Sequence, residues 1–254
     1  MPVRISVTQK LVAATALILA AGLARAGELH VSAAASLTNA FKDIAANYEA
    51  QHAGTRVLLN FGASGALLQQ MAKGAPVDVF ASADTETMDL AVKQGLVAGG
   101  ERRDFARNSL VVVVPRDSRI ALKRLQDLGQ PGVQKIAIGN PASVPAGRYT
   151  KHALESAKLW TAISGKAIHT QNVRQSLDYV ARGEVDAGFV YGSDAAVMKD
   201  RVRVAFEVPP DIAIRYPVAR TTAALDALEA RRFIDFVLSP AGQAVLANHG
   251  FGKP

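Results

Sequence analysis

The sequence predicts an α/β protein, because short apolar runs of strand length alternate with helix-like segments along residues 27–254. In the helix-like segments, apolar residues recur three and four positions apart, which is the spacing of one helix face. Such alternation is typical of sheets whose parallel strands are joined by helices. Small-residue turns follow several strands, and ligands of such sheets bind beyond the carboxyl ends of the strands.

The turn after the first predicted strand is the stretch that most clearly indicates a binding site. A strand predicted at 28–34 gives way to a helix predicted at 37–51, and Ser36 stands where a helix N-cap belongs. Backbone N–H groups at such a turn lack partners within the helix, and the helix dipole adds positive potential. The turn is therefore a candidate anion site. A capped helix without a ligand is the simpler interpretation of one such turn, but Ser64 repeats the arrangement.

Local patterns predict the other elements, with Gly and Pro at turns and with Asp84 and Asn172 as helix caps. The remaining strands are predicted at 56–61, 77–81, 108–115, 135–139, 167–171, 186–191, 202–206 and 212–219. The remaining helices are predicted at 66–73, 85–94, 122–128, 148–158, 173–182, from Gly192 onward, 223–238 and 241–248. The continuous apolar run of 110–114 indicates a fully buried strand. We expect the chain to cross into a second domain there.

Residues 1–26 predict a secretory signal peptide. Arg4 and Lys10 flank the start of an apolar segment of about 13 residues, and Ala24-Arg25-Ala26 fits the small-x-small cleavage rule. The apolar segment is too short to span a bilayer comfortably. We expect cleavage before Gly27 and export to the periplasm.

Composition excludes several classes of function. The chain has no cysteine, which excludes disulfides, thiolate catalysis and cysteine-bound metal. Three of its 29 basic residues lie in 1–26, so the exported part has 26 basic and 22 acidic residues and a net charge of +4. The basic residues are scattered and not interleaved with aromatic residues, so nucleic-acid binding is not indicated. A weak attraction for small anions is compatible with this charge.

Two classes of function are compatible with the turns. One is a binding protein for a small oxyanion, held by helix starts that each carry about half a positive charge. The other is a serine hydrolase with Ser64 as nucleophile, since Ser64 lies between a strand and a helix. However, Gly62-Ala63-Ser64-Gly65-Ala66 departs from the G-x-S-x-G pattern at its last position, and the five histidines have no metal-ligand spacing. The residues favour the binding protein without excluding the enzyme.

The chain resembles the periplasmic molybdate-binding proteins of ABC importers in segments that follow in the same order along nearly the whole exported part. The segments are AAASLTNA at 33–40, FGAS at 61–64, GAPVDVFASAD at 74–84, NSLVVV at 108–113, VPAG at 144–147, NVR at 172–174 and VYGSDA at 190–195. The resemblance implies a two-lobe, periplasmic-binding-protein-like fold, each lobe a mixed sheet flanked by helices, with the ligand cleft between the lobes. Lobe 1 would be 27–107 with 219–254, and lobe 2 would be 108–218.

The resemblance also implies the binding residues. Carried over one by one, the oxyanion ligands fall on Ser36, Ser64, Ala146, Val173 and Tyr191. Their hydroxyls and backbone amides would hold the anion by hydrogen bonds, without direct coordination of the metal. Relatives often have several serines around the second serine, whereas Ala63 and Gly65 occupy the flanking positions here. A spare hydroxyl is lost by that departure, but the backbone donors remain.

The implied function is capture of molybdate, and of tungstate as a dianion of the same shape, for delivery to an ABC permease in the inner membrane. Another tetrahedral oxyanion, such as sulfate, is the alternative ligand. No enzyme activity, catalytic residue, cofactor or nucleic-acid partner is expected, and we expect a monomer. Arg148 and Arg174 lie near the proposed site, so a direct ion pair with the anion and an outward, solvated position both stay open.

Overall fold

The computed structural model describes residues 27–209 and 213–254, so the signal peptide predicted at 1–26 lies outside the described residues. Two five-stranded sheets form the centre of the molecule, and helices pack against both of them. Within the described ranges, no helix combines the length and the apolar character needed to cross a membrane.

The first sheet contains the first four strands of the chain and its last one. These are β1 (Gly27–Ala34), β2 (Thr55–Gly62), β3 (Val79–Ala81), β4 (Arg103–Asn108) and β10 (Ile214–Arg220). Their order across the sheet is β2-β1-β3-β10-β4. The strands β2, β1 and β3 are parallel, and β10 is antiparallel to both β3 and β4.

The second sheet contains the strands in between. These are β5 (Leu110–Pro115), β6 (Ile136–Gly139), β7 (Ala167–Thr170), β8 (Ala187–Tyr191) and β9 (Val202–Glu207). Their order is β7-β6-β8-β5-β9. The strands β7, β6 and β8 are parallel, and β5 is antiparallel to both β8 and β9.

The mixed sheets confirm the fold class that the resemblance implies. Parallel pairing, which alternation alone predicts, is correct for three adjacent strands of each sheet and wrong for the others. The physical reason is the crossing between the sheets. A single residue, Ser109, separates β4 from β5, so the chain enters the second sheet directly from the first, without the helical crossover that parallel neighbours require.

Nine α-helices connect the strands within the described part of the chain. They are α1 (Thr38–Gln51), α2 (Ser64–Ala72), α3 (Thr85–Lys93), α4 (Pro145–Ser156), α5 (Trp160–Ser164), α6 (Val173–Ala181), α7 (Gly192–Val197), α8 (Ala227–Leu238) and α9 (Pro240–Asn248). Short 3-10 helices span Ala35–Leu37, Gly99–Glu101 and Leu125–Gly129. Asp84 and Asn172 cap α3 and α6 with their side chains, as the sequence predicts.

Some predicted elements differ from the structure. The strand β4 is absent from the prediction, because its charged and polar residues leave an apolar signal only at Phe105 and Ala106, and it lies at a sheet edge. The helix predicted at 122–128 is instead the 3-10 helix Leu125–Gly129, and α5 was not predicted.

The strand predicted at 212–219 pairs with the first sheet from Ile214 onward, although the return to lobe 1 was expected at 219. An apolar run predicts a strand but does not say which sheet the strand joins.

The two sheets bring the carboxyl ends of five parallel strands to one place. The strands β1, β2, β6, β7 and β8 all end beside the same cavity, and each is followed within a few residues by a helix start. This is the edge at which ligands of such sheets bind. The fold therefore concentrates free helix starts from both sheets around one small volume.

Candidate functional site

All five residues that the sequence nominates line one cavity between the sheets. Its lining residues are Ala34, Ala35, Ser36, Gly62, Ala63, Ser64, Ala83, Val144, Pro145, Ala146, Val173 and Tyr191. Those up to Ala83 come from the first sheet and its turns, and the others come from the second. The structure thus brings together nominated residues as far apart in sequence as Ser36 and Tyr191, which are separated by 155 positions.

The five residues that the sequence nominates are buried between the two sheets. Ser36, Ser64, Ala146, Val173 and Tyr191 are each no more than 4% exposed. Because the two halves of the lining come from different sheets, each half covers the other. The lining contains no lysine, arginine, histidine or carboxylate, so its polar groups are hydroxyls and backbone amides.

Ser36 lies inside the 3-10 helix Ala35–Leu37 and not at the predicted N-cap position. Its side chain makes no capping hydrogen bond. Instead, its Oγ lies 3.0 Å from the hydroxyl of Tyr216, a buried residue of β10. The cap prediction is wrong here because the chain makes a tight 3-10 turn before α1 begins. The Ser36 hydroxyl therefore makes no bond to the helix backbone and instead contacts Tyr216 of β10.

Ser64 is the first residue of α2, one position after the N-cap Ala63. Its Oγ accepts a hydrogen bond of 3.0 Å from the Ala83 N–H, and it caps nothing. A hydroxyl has one proton and two lone pairs, so a serine that accepts from behind keeps its own proton for another acceptor. Ser64 is thus oriented as a donor toward the cavity that it lines.

Tyr191 ends β8 and presents the most informative polar atom of the site. Its hydroxyl is fully buried, and no hydrogen-bond partner for it exists in the described part of the chain. Burial raises the pKa of Tyr191 well above the ordinary value of a phenol, so the group is a neutral donor. Leaving such a group unsatisfied costs about 1–3 kcal/mol, which a ligand with acceptor atoms would recover.

Ala146 and Val173 offer backbone amides. Ala146 is the second residue of α4, after Pro145, and Val173 is the first residue of α6. Amides at these positions have no acceptor within their own helix. Across the described ranges, neither N–H donates to another group of the protein. The positive end of each helix dipole points into the same space.

The α4 start is held close to β6 by two glycines. A Cβ at Gly147 would collide with the backbone of Gly139, so only glycine permits this approach. The helix can therefore place its first free amides directly beyond the end of the strand, which is where Ala146 meets the cavity.

Arg148 and Arg174 do not line the cavity, and both are paired with protein groups. Arg148 Nε and Nη2 donate to Asp84 Oδ2 at 2.9 and 2.6 Å, so the α4 arginine joins the cap of α3. Arg174 Nε donates to Asp194 Oδ1 at 2.5 Å. Burial raises the pKa of Asp194, and the Arg174 guanidinium opposes that shift.

Arg174 also reaches across to the first sheet's side of the cavity. Its Nη1 donates to Asn39 Oδ1 at 2.8 Å, and its Nη2 donates to the backbone carbonyl of Ser36 at 3.2 Å. Both arginines therefore link elements of the two sheets. The sequence left two roles open for these arginines: a direct ion pair with the anion, or an outward, solvated side chain. The structure shows neither role, because both side chains pair with groups of the protein.

Sequence reasoning missed Tyr216 and Asn108, which lie behind Ser36. Asn108 Nδ2 donates to the Tyr216 hydroxyl at 3.2 Å. Tyr216 lies in a predicted strand 180 residues from Ser36, and no local pattern indicates that the two residues meet. Asn108 stands in one of the segments that carry the family resemblance, so its presence there was the one available signal.

Comparisons with known proteins agree with this geometry. The family described as "Bacterial extracellular solute-binding protein" matches residues 29–252. The molybdate-binding protein ModA of Escherichia coli is 36% identical over 240 residues, which cover 90% of this chain and 90% of that protein. ModA of Mycobacterium tuberculosis is 35% identical over 226 residues, covering 88% of this chain and 84% of that protein.

A solved structure is similar over the same extent. The periplasmic molybdate-binding protein of Azotobacter vinelandii matches with a TM-score of 0.77 and 25% identity, covering 89% of this chain and 99% of that chain. These relatives are binding proteins, not enzymes. The match of the family to almost the whole described chain, together with a fold of two mixed sheets around a buried cavity, leads to one conclusion: the chain belongs to the bacterial extracellular solute-binding protein family.

Proposed function

We propose that this protein captures molybdate in the periplasm and delivers it to the permease of an ABC importer. The observation that carries the proposal is the buried hydroxyl of Tyr191, which lacks a partner in the described residues and belongs to a residue that lines the cavity together with further donors. The curated relatives named as molybdate-binding proteins support the choice of anion. The resemblance to exported binding proteins supports the periplasmic location.

The donor set suits a tetrahedral dianion. Three hydroxyls, from Ser36, Ser64 and Tyr191, and two amides, from Ala146 and Val173, surround the cavity. Hydrogen bonds to a charged acceptor are stronger than neutral ones, and helix starts offset negative charge without a lysine or arginine. The oxyanion would be held through its oxygens, with no bond between a protein atom and the metal. Tungstate has the same charge and shape and would bind in the same way.

The two sheets with their helices would act as two lobes. Ser36 and Ser64 stand on one side of the cavity, and Ala146, Val173 and Tyr191 stand on the other. A ligand that contacts both sides favours the closed arrangement, because it gains its full set of hydrogen bonds only there. The closed form is the state that a permease would recognise, and a monomer suffices for it.

The alternatives are less well supported. Sulfate has the same charge as molybdate but shorter bonds from its central atom, so donors set for the larger ion would lie beyond good hydrogen-bond distance. A hydrolase that uses Ser64 would need a base nearby, and the cavity lining has no histidine or carboxylate in the described residues. No observation favours the enzyme.

Isothermal titration calorimetry on residues 27–254 tests the proposal. We expect molybdate and tungstate to bind with a stoichiometry of one, and sulfate and phosphate to bind more weakly in competition. Failure of all four anions to bind would overturn the proposed function. Tighter binding of sulfate than of molybdate would overturn the choice of ligand.

A further inference from the structure

Behind Ser36 lies a chain of hydrogen bonds whose direction is fixed by the backbone. Asn108, at the end of β4, accepts with its Oδ1 from the N–H of Ser109 at 3.0 Å and from the N–H of Ser193 at 3.4 Å. Backbone N–H groups can only donate, so this side of the Asn108 amide must be the oxygen. The other side is therefore the NH2 group, which can only donate.

The NH2 group of Asn108 sets the direction of the next two hydroxyls. It donates to the Tyr216 hydroxyl at 3.2 Å, so that oxygen is an acceptor toward Asn108. The phenol proton of Tyr216 must then point elsewhere, and Ser36 Oγ, at 3.0 Å, is its other partner among the described residues. Burial raises the pKa of Tyr216 well above the ordinary value, so the phenol keeps this proton.

This chain of hydrogen bonds occupies one lone pair of Ser36 Oγ and leaves the Ser36 proton and one further lone pair. Since Ser36 Oγ accepts from Tyr216, its own proton is directed to another acceptor, and Ser36 lines the cavity. We propose that Tyr216 is a positioning residue: by occupying one Ser36 lone pair, it favours the orientation in which Ser36 donates to the bound anion, and so it disfavours anions that carry a proton. This inference rests on the proposed function.

The selectivity follows from what Ser36 could do without Tyr216. At neutral pH phosphate keeps at least one proton, and a buried P–OH group needs an acceptor. With Tyr216 in place, one of the two Ser36 lone pairs is occupied and the hydroxyl is held in position, which lowers its capacity to accept. Without the Tyr216 hydroxyl, Ser36 is free to rotate and to accept the P–OH proton. Tyr216 thus disfavours protonated anions in addition to improving the donor geometry for molybdate.

The surroundings of Tyr216 make a clean substitution possible. Its ring is fully buried and packs edge to face against Tyr191, Phe251 and Phe105, with ring centroids 5.7, 5.5 and 6.3 Å away. Phenylalanine keeps this packing and removes only the hydroxyl. Tyr216 is not among the residues that line the cavity, and of the two hydrogen-bond partners of its hydroxyl, Ser36 and Asn108, only Ser36 lines it.

A double-mutant cycle measured by calorimetry tests the proposal, with molybdate as ligand and phosphate as competitor. We expect Tyr216→Phe to weaken molybdate binding about five- to tenfold, the size of one hydrogen bond, and to weaken phosphate binding less or not at all. In a Ser36→Ala background, Tyr216→Phe should cause no further loss of molybdate affinity. Tyr48→Phe is the matched control, because it removes another buried hydroxyl, bound to Glu229, from the same side of the molecule.

The outcomes separate the two proposals. If the wild-type protein binds molybdate but Tyr216→Phe causes the same loss with and without Ser36, or no loss, the positioning role is refuted and the proposed function stands. An equal loss for molybdate and phosphate refutes the selectivity. Failure of the wild-type protein to bind molybdate refutes the proposed function and this inference together.

Discussion

Ser36 and Ser64 each accept a hydrogen bond from within the protein, so each has one proton left for a ligand. At this scale the site depends on hydroxyl direction more than on charge. Hydroxyls and amides without any cation can serve a dianion, because each hydrogen bond to a charged acceptor contributes more than a neutral one does.

Removing either serine hydroxyl should weaken binding without unfolding the protein. A hydrogen bond to a charged group contributes about 1.5–3 kcal/mol, so we expect Ser36→Ala or Ser64→Ala to lower molybdate affinity about ten- to a hundredfold. Calorimetry measures the affinity, and thermal melting checks the fold. Ser156→Ala, at an exposed position of α4, is the matched control. Wild-type affinity in both site variants would remove these residues from the site.

The buried tyrosine gives a prediction about pH. Burial raises the pKa of Tyr191 well above 10.0, so in the folded protein the hydroxyl stays protonated where an exposed phenol would ionise. Stability linked to this phenol is fully present below the unfolded pKa, near 10.0, and is lost progressively as the pH rises from there toward the raised folded pKa. We expect molybdate affinity to be nearly constant from about pH 7 to about pH 10, measured by calorimetry. A steep loss of affinity within that range would mean that the phenol ionises in the site.

At the scale of elements, helix starts decide where donors point. Gly65, the second residue of α2, donates its N–H to the carbonyl of Ser143 at 3.0 Å, which joins α2 to the loop before α4. A Cβ at position 65 would lie 2.7 Å from that carbonyl oxygen and 2.9 Å from the Ser143 Cα. The glycine beside Ser64 is therefore required for this close approach.

The substitution Gly65→Ala should weaken closure of the two sides around the ligand without lowering the stability of the fold. Alanine favours a helix by about 0.5–1 kcal/mol over glycine, so the ligand-free protein should melt at the same temperature or higher. The clash with Ser143 exists only when the two sides meet, so molybdate affinity should fall at least tenfold. Gly165→Ala is the control, because a Cβ there meets nothing within 4 Å. A variant with unchanged affinity would show that this contact does not matter for closure.

The helix caps show what a sequence can and cannot predict. Asp84 and Asn172 cap as predicted, because their signal lies in the few residues after them. Ser36 and Ser64 line the cavity, but the cap geometry predicted for them is wrong, since partners on distant strands, Tyr216 and Ala83, hold their hydroxyls. The edge strand β4 was missed for a related reason: its partner strand, β10, lies more than a hundred residues away in sequence.

At the scale of the whole molecule, the cavity exists only because two sheets meet. Local patterns predicted strands and helix starts, but only the family resemblance indicated that five of those starts converge. Contacts between the two sides hold the closed arrangement, and among them are those of Gly65 with Ser143, of Arg148 with Asp84, and of Arg174 with Asn39 and the Ser36 carbonyl. None of them follows from spacing along the chain.

Ligand should close the molecule about the crossings between the sheets, at Ser109 and at the start of β10 at Ile214. The donors divide between the two sides, so the bound anion stabilises their contact. We expect small-angle scattering to give a smaller radius of gyration with saturating molybdate than without it. Identical scattering profiles in the two states would contradict ligand-driven closure.

The most direct test of the central claim is a crystal structure of residues 27–254 grown with molybdate, with diffraction measured at the molybdenum absorption edge. The account predicts one strong anomalous peak in the cavity, with oxygens within hydrogen-bond distance of the hydroxyls of Ser36, Ser64 and Tyr191 and the amides of Ala146 and Val173. A peak beside Arg148 or Arg174, or on the surface, with the cavity empty of molybdenum, would contradict it.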